Sequence, residues 1–111
     1  MSVASDLKTA LTGTGLPVAQ TVYTGTAASY ITFAYATEAE EYANDIPYYE
    51  RYKVQVHLIT PATQNTTALE AQTKSLLVGA GFVYPKSADA TNDPAIRHIL
   101  FETETEVFLS A

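Results

Sequence analysis

Apolar and polar residues alternate most cleanly near the middle of the chain. Tyr48, Tyr52, Val54, Val56 and Leu58 fall on one side of residues 48–60, and Arg51, Lys53, Gln55 and His57 fall on the other. That period of two predicts a half-buried strand with one face in a core and one polar. A preceding strand is predicted over residues 30–36, where Ile31, Phe33 and Tyr35 alternate with Thr32 and Ala34. A weaker one precedes it at 18–23, separated by a turn of small residues at 25–29. Residues 38–45 are acidic and end just before Pro47, which disfavours helix at the residue before it, so they read as a long hairpin tip.

Helical spacing appears twice. Val3, Leu7 and Leu11 recur every four residues and predict a short amphipathic helix over 5–11, with Ser2 or Ser5 as its N-cap and Gly13 and Gly15 ending it. Beyond Pro61, Thr67 followed three residues later by Glu70 is a capping-box pattern. It opens a helix whose inner stripe is Leu69, Thr73, Leu76, Leu77 and Ala80, closed by Gly79 and Gly81. A short strand at 82–84, a polar loop at 87–94 and a final strand at 96–107 complete the chain. Helix, three strands, helix and two strands, without regular βαβ alternation, predict a single α+β domain over 1–111, its helices on one face of a mostly antiparallel sheet.

Composition narrows the chemistry. A chain of 111 residues fits one domain. Without cysteine there is neither a disulfide framework nor a thiolate metal site. Twelve acidic against six basic side chains, a formal charge of -6, disfavour nonspecific nucleic-acid binding, whose affinity comes from Lys and Arg displacing counterions. The first residues lack the cationic and apolar regions of a secretion signal, and no apolar run reaches the length of a membrane span.

Candidate catalytic groups are few. His57 and His98 lie in predicted strands without a surrounding motif and read as ordinary half-buried histidines. Glu102, Glu104 and Glu106, two apart, share one side of the last strand and read as a solvated edge that resists unwanted pairing rather than a cation site. Gly13-x-Gly15 lacks the third glycine and preceding strand of a dinucleotide fingerprint, and Asn65-Thr66-Thr67 matches a glycosylation pattern only by chance. No catalytic, cofactor or metal residues are therefore assigned. Eight tyrosines in a chain without tryptophan are a different signal, since Tyr42, Tyr48, Tyr49 and Tyr52 gather at the hairpin base, where a rigid ring with a polar tip suits either an interface or the core.

Taken in order, LKTALTGTGLPVA (7–19), SYITFAY (29–35), YANDIPYYERYKVQVHLIT (42–60), ALEAQTKSLL (68–77), GFVYPKS (81–87) and RHILFETE (97–104) resemble the small tail-completion or tail-terminator proteins of long-tailed bacteriophages, often labelled minor capsid proteins. Ala43-Asn44-Asp45 and the strand 52–60 occupy the places of that family's hairpin element and long strand. Ala28-Ser29 and Gln55-Val56-His57 depart from its usual residues. The resemblance implies a non-catalytic virion protein without cofactor, assembled in the host bacterium's cytoplasm, that forms a hexameric ring on the tail tube protein and meets the head–tail connector protein. DNA would pass its lumen without specific binding.

Within that picture, Glu38, Glu40, Glu41 and Asp45 are candidates for lining the lumen or for touching the next subunit, and Tyr42, Tyr49, Arg51 and Lys53 are candidate interface residues. A head-to-tail ring needs two different complementary surfaces, which a basic strand and an acidic hairpin could supply. The alternatives are a neck or head-completion protein on the portal side and a small ligand-binding or regulatory α+β domain of a bacterial host.

Overall fold

A computed structural model of the chain describes residues 3–43 and 46–108, with the side chains of residues 39–43, 46–49 and 108 excepted. Its elements are α1 (Val3–Leu11), a 3₁₀ turn (Thr12–Thr14), β1 (Val18–Gln20), β2 (Tyr30–Ala43), β3 (Ile46–Pro61), α2 (Thr67–Gly79), β4 (Lys86–Asp89) and β5 (Ile96–Phe108). The five strands form one sheet in the order β1-β2-β3-β5-β4. β1 runs parallel to β2, and every other pairing is antiparallel. This is the α+β architecture expected from the sequence.

The register explains why the helices share one side. Phe33 sits opposite Val56, and Val56 opposite Phe101, while Ile31, Leu58 and Ile99 form the next row. These six residues are buried, and they meet Val3, Leu7 and Leu11 of α1 and Leu77 of α2 in one core. Shifting any of the strands by one residue would turn its apolar set to solvent, so burial on one face fixes the register. Gly13 lets the end of α1 approach α2, because a Cβ there would lie 3.1 Å from a methyl of Leu76. Gly15 then reverses the chain at φ 81°, a conformation that favours glycine.

Several local expectations need correction. Ser5 lies inside α1 rather than capping it, and Ser2 is outside the described residues. The strand expected at 18–23 stops at Gln20, because Thr21 turns left-handed at φ 67°. Residues 38–43 are not part of a long tip, since β2 runs to Ala43 and keeps one register against β3 from Tyr30↔Ile59 to Ala43↔Ile46. The reason is cross-strand pairing, which satisfies the backbone of an acidic segment that has little strand propensity of its own. At the start of α2, the hydroxyl of Thr66, not Thr67, donates to Glu70 Oε2 at 2.7 Å. Ala80 lies exposed beyond that helix instead of on its inner stripe. Residues 82–84 form no strand, although Phe82 is buried and Val83 N–H donates to the Glu104 carbonyl. The strand in this region is β4, inside the segment expected to be a polar loop.

β2, β3 and β5 outrun the helices. Val54, Val56 and Leu58 are buried, whereas Tyr35, at the outer edge opposite Val54, is 37% exposed and Val107, nearer the hairpin, 38%. The molecule measures 54 × 25 × 23 Å with a radius of gyration of 15.4 Å, above the roughly 13 Å of a compact domain this size. A small helix-covered body therefore continues into a three-stranded arm.

Replacing Phe101 by Ala removes a fully buried ring shared by strands and helices and is expected to cost about 3–5 kcal/mol of stability. The exposed Val83→Ala should stay within about 0.5 kcal/mol. Urea unfolding of both variants checks this, and equal losses would contradict the described core.

Candidate interaction surface

The face of the sheet opposite the helices carries Arg51, Lys53, Gln55 and His57 of β3. On the arm it becomes a ladder of charges, with Glu38 on β2 facing Arg51 on β3, Lys53 facing Glu104 on β5, and Arg51 facing Glu106. The side chains do not all pair straight across. Lys53 Nζ reaches Glu38 at 3.1 Å, and Arg51 reaches Glu106 at 3.2 Å and Glu104 at 3.7 Å. Arg51 and Lys53 thus have acidic partners within their own chain, and the carboxylates of Glu104 and Glu106 have a basic one in Arg51. Exposed pairs of this kind contribute about 0–1 kcal/mol each. The ladder sets the charge pattern of the arm more than it stabilises it.

Of the other sequence candidates, Glu40, Glu41, Tyr42 and Tyr49 occupy backbone positions on β2 and β3, but their side chains lie outside the described residues, and Asp45 lies outside altogether. Tyr52 is half-buried, packs against the core, and its ring lies 5.4 Å from that of Tyr35. Glu102 is exposed, opposite Gln55 on one side and Lys86 on the other.

Where the helix-free face enters the body, β3 and β5 bring together two residues that sequence spacing kept apart. His57 Nδ1 and His98 Nε2 lie 2.7 Å from one another, with ring centroids 4.9 Å apart. One nitrogen donates and the other accepts, an arrangement open to a neutral pair or a singly protonated one and closed to two imidazolium ions. The facing nitrogens lie nearly end to end, so the rings share a proton rather than converging on a third atom. Burial, and then the neighbouring charge of His98, hold the His57 pKa below its usual value of 6.5. Among the described residues, no three His, Cys, Asp or Glu side chains gather as a metal site.

A hollow of about 610 Å³ lies beside the strand centres and is lined in part by Tyr35, Val54, Val83, Tyr84 and Thr103. The Thr103 hydroxyl donates to the Val83 carbonyl and ties the segment after α2 to β5. Tyr84 is 68% exposed, and Lys74 Nζ lies 5.8 Å from its ring centre. No helix among the described residues is long and apolar enough to cross a membrane.

These features define the class as an α+β domain with a two-helix layer on one sheet face and a charged arm that continues its long strands. No family model matches the chain, and no curated protein matches its sequence. Solved structures share the fold, and for one of them, known by a serial identifier alone, the TM-score is 0.65 at 15% identity, covering 96% of this chain and 90% of that one. That similarity supports the fold.

The histidine pair predicts a pH dependence. With the folded-state pKa of His57 depressed, the unfolded chain holds more protons below about pH 6.5, so stability is present above that pH and falls as the solution is acidified. Urea midpoints should drop between about pH 7.5 and pH 5.5, and less steeply in His57→Gln. Identical pH slopes for the two proteins would contradict the assignment.

Proposed function

We propose that this chain is a non-catalytic structural protein of a long-tailed bacteriophage virion, which caps the tail tube as a ring of identical subunits and helps join tail to head. The resemblance spans almost the whole chain. The observation that carries the reading is the elongated form, a small helix-covered body extended to 54 Å by a three-stranded arm. A head-to-tail ring requires two unlike surfaces on each subunit, and body and arm are unlike in both shape and charge. Its partners in this reading are further copies of itself, the tail tube protein and the head–tail connector protein. An acidic chain along the channel would limit adhesion to passing DNA.

The reading is tested by placing an early nonsense codon in the gene within its own genome, with complementation as control, and imaging lysates by negative-stain microscopy. Filled heads lying beside separate tails, or tails of uncontrolled length, are expected. Normal infectious virions would overturn the proposal and favour a host ligand-binding domain using the hollow beside Tyr84.

Substituting Lys for Glu38, Glu40 and Glu41 together separates the two roles open to the hairpin. Normal ring assembly with defective DNA delivery is expected if it lines the lumen, and lost assembly if it touches the next subunit. Unchanged assembly and delivery would contradict both.

A further inference from the structure

β2 is 14 residues long, yet its outer neighbour β1 pairs only with Ile31, Thr32 and Phe33. Ile31 N–H donates to the Pro17 carbonyl at 2.9 Å, and the Phe33 carbonyl accepts from Thr21 N–H at 2.8 Å. Odd-numbered residues of β2 therefore turn their backbone groups away from β3. Tyr35 and Thr37, and by the same alternation Ala39, Glu41 and Ala43, present N–H and C=O groups outward with no strand beside them among the described residues.

Edge strands are ordinarily blunted by proline, a bulge, shortness or a covering segment. Residues 35–43 contain no proline, and the register against β3 does not change along them. Only charge guards this edge, and the charge is selective. Two copies pairing antiparallel through most of this stretch would bring Glu38, Glu40 and Glu41 of one chain against those of the other, and like charges across a strand pair destabilise it. The outer edge of β5 on the arm is also acidic, with Glu104 and Glu106 already paired to Arg51. A second copy of this chain is thus disfavoured at either edge.

We infer that the outer edge of β2 over residues 35–43 accepts an extended, lysine- or arginine-bearing segment of a different protein as an added strand. Main-chain hydrogen bonds to Tyr35, Thr37 and the odd positions beyond them supply affinity, and the negative charge of Glu38, Glu40 and Glu41, of which Glu38 also pairs with Lys53, selects the basic partner. The inference goes beyond the proposed virion role and holds whether or not a ring forms.

The probe is a synthetic peptide of about ten residues alternating Lys with Val or Thr. It is added to the isotopically labelled protein and followed by amide shifts and hydrogen exchange. Binding should move and protect the amides of Tyr35 and Thr37, and weaken about tenfold or more when Glu replaces Lys or when salt screens the charges. Thr37→Pro should abolish it while leaving the β2–β3 pairing intact, because the N–H removed points outward and edge positions tolerate proline. A peptide N-methylated at alternate amides gives the same loss without touching the protein. The inference is overturned if the Lys peptide does not bind, if the Glu peptide binds equally, or if N-methylation has no effect. It is also overturned if Tyr35 and Thr37 amides are already as protected as that of Ile31 in the protein alone.

Discussion

Everything in this molecule follows from how far two short helices reach along three long strands. β3 is hydrogen-bonded on both edges, to β2 from Ile46 to Ile59 and to β5 from Tyr49 to Pro61. Its backbone is satisfied along nearly its whole length. Burial is not, since α1 and α2 cover Val54, Val56 and Leu58 and leave the arm beyond Tyr52 without a layer. Hydrogen bonding alone makes a ribbon; apolar burial supplies most of the net stabilisation. Body and arm are continuous in pairing and unequal in what holds them.

That inequality shapes the chemistry of the surface. On the arm, the helix-free face compensates with Lys53–Glu38 and the Arg51 pairs to Glu104 and Glu106, so its charges are largely spoken for within one chain. Nearer the body, the same face buries enough surface to lower the pKa of His57 and to seat it against His98. At the edges, the outcome depends on neighbours: β1 covers the start of β2, and β4 covers residues 99–102 of β5, while the arm's edges extend beyond both.

Much of the fold was legible because the apolar periods are strong. Val3, Leu7 and Leu11 announced α1, and the alternation from Tyr52 to Leu58 announced β3 with its correct inner face. Where intrinsic preference and tertiary pairing disagree, sequence reasoning failed. EAEEYA looks like a turn because glutamate and alanine are poor strand formers, yet β3 holds it in a ladder through Ala43. KSAD carries no apolar residue larger than alanine to mark it as β4, which forms only because β5 offers an edge from Ile99 to Glu102. The candidate surface was half visible. Arg51, Lys53 and Glu38 stood out by charge, but their pairing inside one chain, like the meeting of His57 with His98, depends on a register between strands far apart in sequence, which no local pattern encodes.

The central claim is that the helices divide one continuous set of strands into a held body and an open arm. Amide hydrogen exchange along β3 tests it directly, because residues on both sides of Tyr52 are hydrogen-bonded and differ chiefly in cover. The account predicts that Val54, Val56 and Leu58 exchange only with global unfolding, whereas Glu50 and Arg51 exchange much faster through local opening of the arm. Equal protection from Glu50 to Leu58 would contradict it, since body and arm would then open as one unit.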